Sequence, residues 1–177
     1  MDNKILTTYV KFPFGELILG SFRDELCICD WRYRKMRTAV DNRIKKGLDA
    51  EFEEGESKII NETKRQLAEY FEGIRTEFTI PLKLIGTKFQ QQVWNELLQI
   101  PYGKTDSYLS LSKKLGNEKA IRAVATANGA NSISILVPCH RIIGSDGSLT
   151  GYAGGLPAKK KLLELEGALD NGQLELF

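Results

Sequence analysis

Three short runs open the chain with almost nothing between them. Lys4 to Lys11 reads as a strand, and Pro13-Phe14-Gly15 turns. Glu16 to Arg23 alternates into a second strand, Arg23-Asp24-Glu25 turns again, and Leu26 to Trp31 gives a third. Runs this short, joined by turn residues, predict an antiparallel meander. The pattern then changes. Arg32 to Gly55 is charged and aperiodic, which predicts a loop with a short helix. Ser57 is placed to cap a helix to about Glu72, with Ile60, Lys64, Leu67 and Phe71 along one side and Gly73 ending it. Phe78 to Leu82 reads as extended, and a soft domain boundary falls near Leu84.

The second half is helical in pattern. Thr87 caps a helix whose apolar stripe is Phe89, Val93, Trp94, Leu97 and Leu98, closed by Pro101-Tyr102-Gly103. Ser107 caps a short helix through Leu115, and Gly116-Asn117 stops it. Glu118 favours the start of another, with Ala120, Ile121, Val124 and Ala125 inward and an end near Asn128-Gly129. Two helices joined by a tight glycine turn form a helix-turn-helix candidate. The alanines of the second helix suit either close approach to a nucleic-acid groove or tight packing on neighbouring helices. Gly144 to Ser148 is a turn, Tyr152-Ala153-Gly154-Gly155 a flexible loop, and Pro157 opens a last helix ending at Glu166-Gly167. Residues 168–177 read as a loose tail.

Charge separates the halves. Residues 1–85 carry 15 Lys+Arg and 15 Asp+Glu, whereas residues 86–163 carry 10 against 4, a net +6. A positive field on the second half suits a polyanion such as DNA, or is an ordinary solvated surface. No apolar run approaches a membrane span, and Met1-Asp2-Asn3-Lys4 does not begin a secretory signal. Three cysteines argue against a disulfide framework and for a reducing cytoplasm. Cys27 and Cys29, two apart in a strand, share one face and read as core thiols. No metal site is expected.

Within the basic half, an apolar run arrives at Pro138 and another leaves at Ile142, and between them stands Cys139 followed by His140, the only histidine. The thiolate is the reactive form of cysteine, so a neighbouring base points to nucleophilic chemistry. A buried strand with a core thiol is the plainer alternative.

Motifs through residues 84–167 carry a resemblance. They are Gly86-Thr87, Phe89-Gln90-Gln91, Val93-Trp94, Ile100-Pro101-Tyr102-Gly103, Ser107-Tyr108, Ala120-Ile121-Arg122-Ala123-Val124, Asn131, Pro138-Cys139-His140-Arg141, Tyr152-Ala153-Gly154-Gly155-Leu156 and Leu165-Glu166-Gly167. In order and spacing the chain resembles the O6-alkylguanine-DNA alkyltransferases, the methylated-DNA–protein-cysteine methyltransferase family. That resemblance implies an α+β chain of two domains. Residues 1–83 form a small antiparallel-sheet, ribonuclease-H-like domain. Residues 84–167 form a mostly helical, winged-helix-like helix-turn-helix domain, followed by the tail 168–177. It implies a suicide methyltransferase of DNA repair, with Cys139 as alkyl acceptor, His140 as base through a water, Glu166 orienting the imidazole, Tyr108 protonating the departing base and Asn131 bracing the turn. Ile142, through its carbonyl, Tyr152, Ala153 and Lys159 line the lesion pocket. Arg122, Ala123, Ala127, Lys113 and Lys119 meet DNA in the minor groove, with Arg122 filling the gap left by a flipped nucleotide. No cofactor is implied, double-stranded DNA is the partner, there is no membrane association, and the expected state is a monomer. O4-alkylthymine is a possible second substrate. Ala153 departs from the hydroxyl residue of many relatives, which removes a side-chain hydrogen bond to the base but leaves the backbone N–H. The competing readings are a non-catalytic DNA-binding module, which Cys139 argues against, a Cys-His hydrolase, for which no oxyanion-hole motif stands in the sequence, and a thiol-sensing regulator.

Overall fold

The computed structural model describes residues 3–169. The chain divides into two compact units between Gly86 and Thr87.

In the first unit, β1 (Lys4–Phe12), β2 (Gly15–Phe22) and β3 (Glu25–Trp31) form the predicted meander. Gly15 lies at φ +150°, and a Cβ there would stand 2.8 Å from the Trp31 ring, so the turn needs glycine. The segment expected to be a loop with a short helix holds α1 (Arg37–Leu48) and also a strand, β4 (Glu51–Glu54). β4 pairs with β1 in parallel, Lys4 opposite Glu51 through Thr7 opposite Glu54. The sheet order is therefore β3-β2-β1-β4, and the sheet is mixed, not purely antiparallel. The long return through α1 makes this possible, because parallel neighbours need a crossover. Periodicity does not place the ends of α1 because only Val40 and Ile44 are buried and no side chain caps its start. Charge ties it down instead: fully buried Asp30 accepts from Arg34 and Arg37, each at 3.0 Å, and from the Trp31 N–H. A buried carboxylate requires such partners.

A register shift at Gly20/Ser21 gives β3 an extra residue and brings Cys27 into the same cluster as Ile28, with Ile5, Ile18, Val40 and Ile44. Neighbours in a regular strand face opposite ways, so the bulge removes the common face expected for Cys27 and Cys29. Burial pushes the Cys27 thiol up to about 12, and Cys29 higher still, as inert core thiols. α2 (Lys58–Phe71) is capped by Ser57, whose Oγ accepts from the Ile60 N–H at 3.1 Å. Its buried stripe is Ile60, Thr63, Gln66, Leu67 and Tyr70, while Lys64 pairs with Glu56 at 2.9 Å. The Gln66 amide both donates to and accepts from Thr79, which holds the extended segment there. That segment meets β3 through the Leu26–Leu82 bridge.

In the second unit, α3 (Lys88–Leu97) opens on a capping box between Thr87 and Gln90 and buries Val93, Trp94 and Leu97. Phe89 is half-buried, and Leu98 lies at the surface. α4 (Tyr108–Lys114) is capped by Ser107, and a 3₁₀ turn at Glu118–Ala120 leads into α5 (Ile121–Gly129). The α4–α5 pair has the predicted helix-turn-helix order, but α5 buries Val124, Ala127 and Asn128, while Ile121 and Ala125 are exposed and Ala120 is half-buried. The Trp94 indole N–H donates to the Ala127 carbonyl at 2.8 Å, which locks that face onto α3. β5 (Asp106–Ser107) and β6 (Ile142–Ile143) pair in parallel, and α6 (Leu156–Leu165) follows. Ala168 and Leu169 pack on Ile143, Leu149 and Leu163, so the expected tail begins later than Gly167. Its remainder, 170–177, lies outside the described residues. Among the described residues no helix is long and apolar enough to cross a membrane.

Candidate active site

Every residue from Asn131 to Ile143 is buried. A loop without regular structure can be buried only if its backbone polar groups find partners. Asn131 supplies several. Its Oδ1 accepts from the Ile133 N–H at 2.9 Å, and its Nδ2 donates to the carbonyls of Val137 at 2.9 Å and Ile133 at 3.3 Å. The chain then reverses sharply twice. The Leu136 N–H donates to the Ser134 carbonyl at 2.9 Å across Ile135, which is held at φ +74°. The Cys139 N–H donates to the Val137 carbonyl at 2.8 Å across Pro138, at φ −81° and ψ 63°. The second is an inverse γ-turn, a common geometry; the first matches the rarer γ-turn of positive φ. A β-branched residue there costs on the order of 1–3 kcal/mol. The turns deliver Cys139 to a single 3₁₀ turn, Cys139–Arg141, with the thiol-bearing residue 3% exposed.

His140 follows, fully buried, with Nε2 at 2.8 Å from Glu166 Oε1. Glu166 caps the C-terminus of α6. Arg141 grips the same carboxylate with two donors, Nε to Oε2 and Nη2 to Oε1, both at 2.9 Å, and its Nη1 donates to the Ile100 carbonyl at 2.6 Å. Burial alone raises the Glu166 carboxyl, but hydrogen bonds from His140 and Arg141 outweigh it and hold the group at about 2. Burial pulls the His140 imidazole below its ordinary range, and the pull of Glu166 in the other direction is insufficient to reverse this. The imidazole is thus neutral and the carboxylate charged. Nε2 must carry the proton it donates to Glu166, which leaves Nδ1 as the acceptor. Nδ1 is buried without a hydrogen-bond partner among the described residues. Sequence reasoning assigns Arg141 no part in this. The available signal was a cation inside an apolar run, which burial obliges to find a carboxylate. Tyr102 was likewise missed: its hydroxyl donates to the Leu165 carbonyl at 3.2 Å, beside Arg141. Gly103, at φ +78°, brings its backbone so near the Glu166 carbonyl that a Cβ would stand 3.0 Å away.

A loop after β6 completes the surroundings. The Thr150 carbonyl accepts from Lys159 Nζ at 2.8 Å and from the Tyr108 hydroxyl at 3.4 Å, and Lys159 also reaches Gly151 at 3.3 Å. Lys159 is fully buried in α6, where burial pulls it down to about 8 while the Cys139 charge acts to raise it. Burial pushes the Tyr108 phenol up, with Thr150 opposing and Cys139 reinforcing the shift. Both side chains therefore lie within electrostatic reach of the cysteine. The Tyr152 ring stands edge-on to His140 at 6.5 Å between centroids, and Ala153 follows it, half-buried. Among the described residues no group of three or more His, Cys, Asp or Glu side chains is placed to hold a metal ion.

Residues 88–168 match the model of the 6-O-methylguanine DNA methyltransferase DNA-binding domain, and residues 5–84 that of the same family's ribonuclease-like domain. A methylated-DNA–protein-cysteine methyltransferase of Mycobacterium leprae is 53% identical over 157 residues, 87% of each chain. The chain belongs to the 6-O-methylguanine DNA methyltransferase family. A Methanosarcina acetivorans member is 51% identical over 111 residues, 63% of this chain and 71% of that one. The Mycobacterium tuberculosis OGT solved in complex with DNA superposes with a TM-score of 0.77 at 40% identity, covering 98% of this chain and 99% of that one. The O6-methylguanine-DNA methyltransferase of Pyrococcus kodakaraensis, 22% identical, shares the fold at a TM-score of 0.67 over 92% of this chain and 99% of that one.

In this family member the helix-turn-helix presents a basic, small-residue surface. Lys113, Lys119, Arg122 and Ala123 are exposed, and Arg122 has no ion-pair partner among the described residues. Ala127 is a correction: it is 2% exposed and turned toward α3, so its side chain is not part of that surface. Helical spacing explains the error, since residue 127 lies on the buried side with Val124.

Proposed function

We propose that this chain repairs alkylated DNA by direct reversal, moving the alkyl group from O6 of guanine in a duplex onto Cys139. The observation that carries this reading is the buried Cys139 beside a neutral His140 whose Nε2–H is committed to a carboxylate fixed by Arg141. His140 Nδ1 takes the thiol proton through a bridging water. The sulfur attacks the alkyl carbon in line with O6, the S–C bond forms, and the C–O6 bond breaks with its electron pair going to the base. Tyr108 gives that base a proton, so it leaves as neutral guanine and not as an anion. The product is a thioether, which lacks the acyl carbon that water attacks in a thioester, so each molecule acts once. The damaged base is the alkyl donor, and no cofactor takes part.

The target atom is buried in the duplex stack, so the nucleotide is extruded into a pocket lined by Tyr152, Ala153 and Lys159, with the Ile142 carbonyl toward the base. Arg122 enters the stack from the minor groove, Ala123 permits close approach there, and Lys113 and Lys119 meet phosphates. Minor-groove readout is degenerate, which suits lesions in any sequence. O4-alkylthymine, with a similarly placed alkyl carbon, is a second substrate. The protein acts as a monomer in the reducing cytoplasm, where its thiols stay free.

The test mixes the protein with duplex DNA containing one O6-methylguanine. The expected result is one methyl group per chain, located on Cys139, and an unmodified guanine in the DNA. An unchanged protein mass with the lesion recovered intact overturns the reading. Cys139→Ala is expected to abolish transfer while retaining DNA binding.

A further inference from the structure

The mechanism uses Cys139 but leaves unexplained the isoleucine four residues before it. Ile135 is held at φ +74°, and the residue is 1% exposed. Glycine adopts positive φ freely, and a β-branched side chain resists it most strongly. The surrounding structure therefore over-determines this turn. Its neighbours show how. The Leu136 N–H closes the turn onto Ser134, the Val137 N–H returns to the Ile133 carbonyl at 3.0 Å, and Ser134 bridges to Val137. The Val137 carbonyl then receives both the Asn131 amide at 2.9 Å and the Cys139 N–H at 2.8 Å. One carbonyl thus fixes the backbone of the nucleophile, and the turn at Ile135 aims that carbonyl.

We propose that Ile135 is a positioning residue for alkyl transfer. Its buried side chain pins a turn that the backbone would otherwise leave, and the pinned turn holds Cys139 on one line of attack. The inference rests on Cys139 being the alkyl acceptor. An in-line displacement tolerates little misalignment, since small displacements of a reacting group lower rates steeply. Glycine at this position satisfies the backbone but frees the turn to sample other conformations.

Single-turnover transfer from an O6-methylguanine duplex, measured as a function of protein concentration for Ile135→Val, Ile135→Ala and Ile135→Gly, tests this. Ile135→Val keeps the branch and most of the anchor and is expected to stay within about twofold of the parent. The rate constant at saturation is expected to fall about tenfold or more in Ile135→Ala and further in Ile135→Gly, with the half-saturating concentration unchanged. Titration of Cys139 with a small neutral disulfide is expected to be as fast as in the parent or faster, since a freely diffusing reagent aligns its own S–S bond with the thiolate. Leu97→Ala, a core truncation on α3, serves as the stability control at matched folded fraction. Parent-like saturating rates in Ile135→Ala, or an equal loss in Leu97→Ala, overturn the proposal. Should Ile135→Gly not fold, the Val, Ala and Leu97 comparison decides it alone. A parent protein that transfers nothing refutes the functional reading itself, a different result from a parent that transfers beside unaffected variants.

Discussion

At the scale of single residues, Glu166 governs the site because three donors from two neighbouring residues converge on it. Glu166→Gln keeps the shape but leaves the imidazole tautomer unfixed and the Arg141 charge uncompensated. Removing one partner of a buried ion pair destabilises by about 3–5 kcal/mol. Losing an oriented base slows transfer by about 100-fold or more. Thermal melting and single-turnover kinetics well below the melting temperature separate the two effects. The pH dependence follows from the direction of the His140 shift. The imidazole takes up a proton less readily in the folded protein than at its ordinary value of 6.5. The unfolded chain therefore binds that proton first, and the stability His140 contributes declines as pH falls through 6.5 toward the lower folded value. As the base, it stays neutral down to 6.5, so the transfer rate is expected to remain level from neutral pH to that point and to drop only below it. A decline that begins above neutral pH would contradict a neutral buried base. The pairing of Cys139 with His140 is adjacent in sequence and was readable there. For Arg141 the apolar run around it signals only that a buried cation needs a carboxylate, not that the partner is Glu166, 25 residues on.

At the scale of elements, caps and glycine stops were legible and faces were less so. Ser57, Thr87 and Ser107 all cap the helices they were expected to start, since an N-cap depends on only three following residues. A short helix was expected between Arg32 and Gly55, but the bounds of α1 and the whole of β4 escaped because their stability comes from partners elsewhere, the buried Asp30 cluster and the β1 edge. The inward face of α5 was misjudged because alanine and isoleucine carry the same apolar label whether they pack on a helix or meet a groove. The exposed side, with Arg122 at its middle, carries a prediction. Arg122→Ala is expected to slow repair of a lesion in duplex DNA at least about tenfold, because base extrusion then goes unsupported. Reaction with the free O6-alkylguanine base, which needs no extrusion, is expected to be unchanged. Equal losses with the two donors would exclude a role in opening the stack.

At the scale of the whole molecule, the charge asymmetry is the feature that matters. Residues 86–163 carry net +6 against zero for residues 1–85. Binding to undamaged duplex is therefore expected to weaken linearly in log salt, with a slope near −0.9 for each phosphate contacted. Lys113→Ala is expected to reduce that slope by about one and to lower affinity equally for every sequence, measured by fluorescence anisotropy across a salt series. A sequence-dependent loss would assign Lys113 to base readout instead.

Short-range physics, readable along the chain, sets the meander, the capped helices, the glycine turns, the basic second half, and the thiol beside its only imidazole. Tertiary structure alone decided what depends on distant segments meeting. It brought β4 beside β1, turned Ala127 into the core, and closed the Arg141 fork on Glu166. It also forced Ile135 into a left-handed turn, a conformation that local preference opposes and that only the burial and hydrogen bonding of the folded chain sustain.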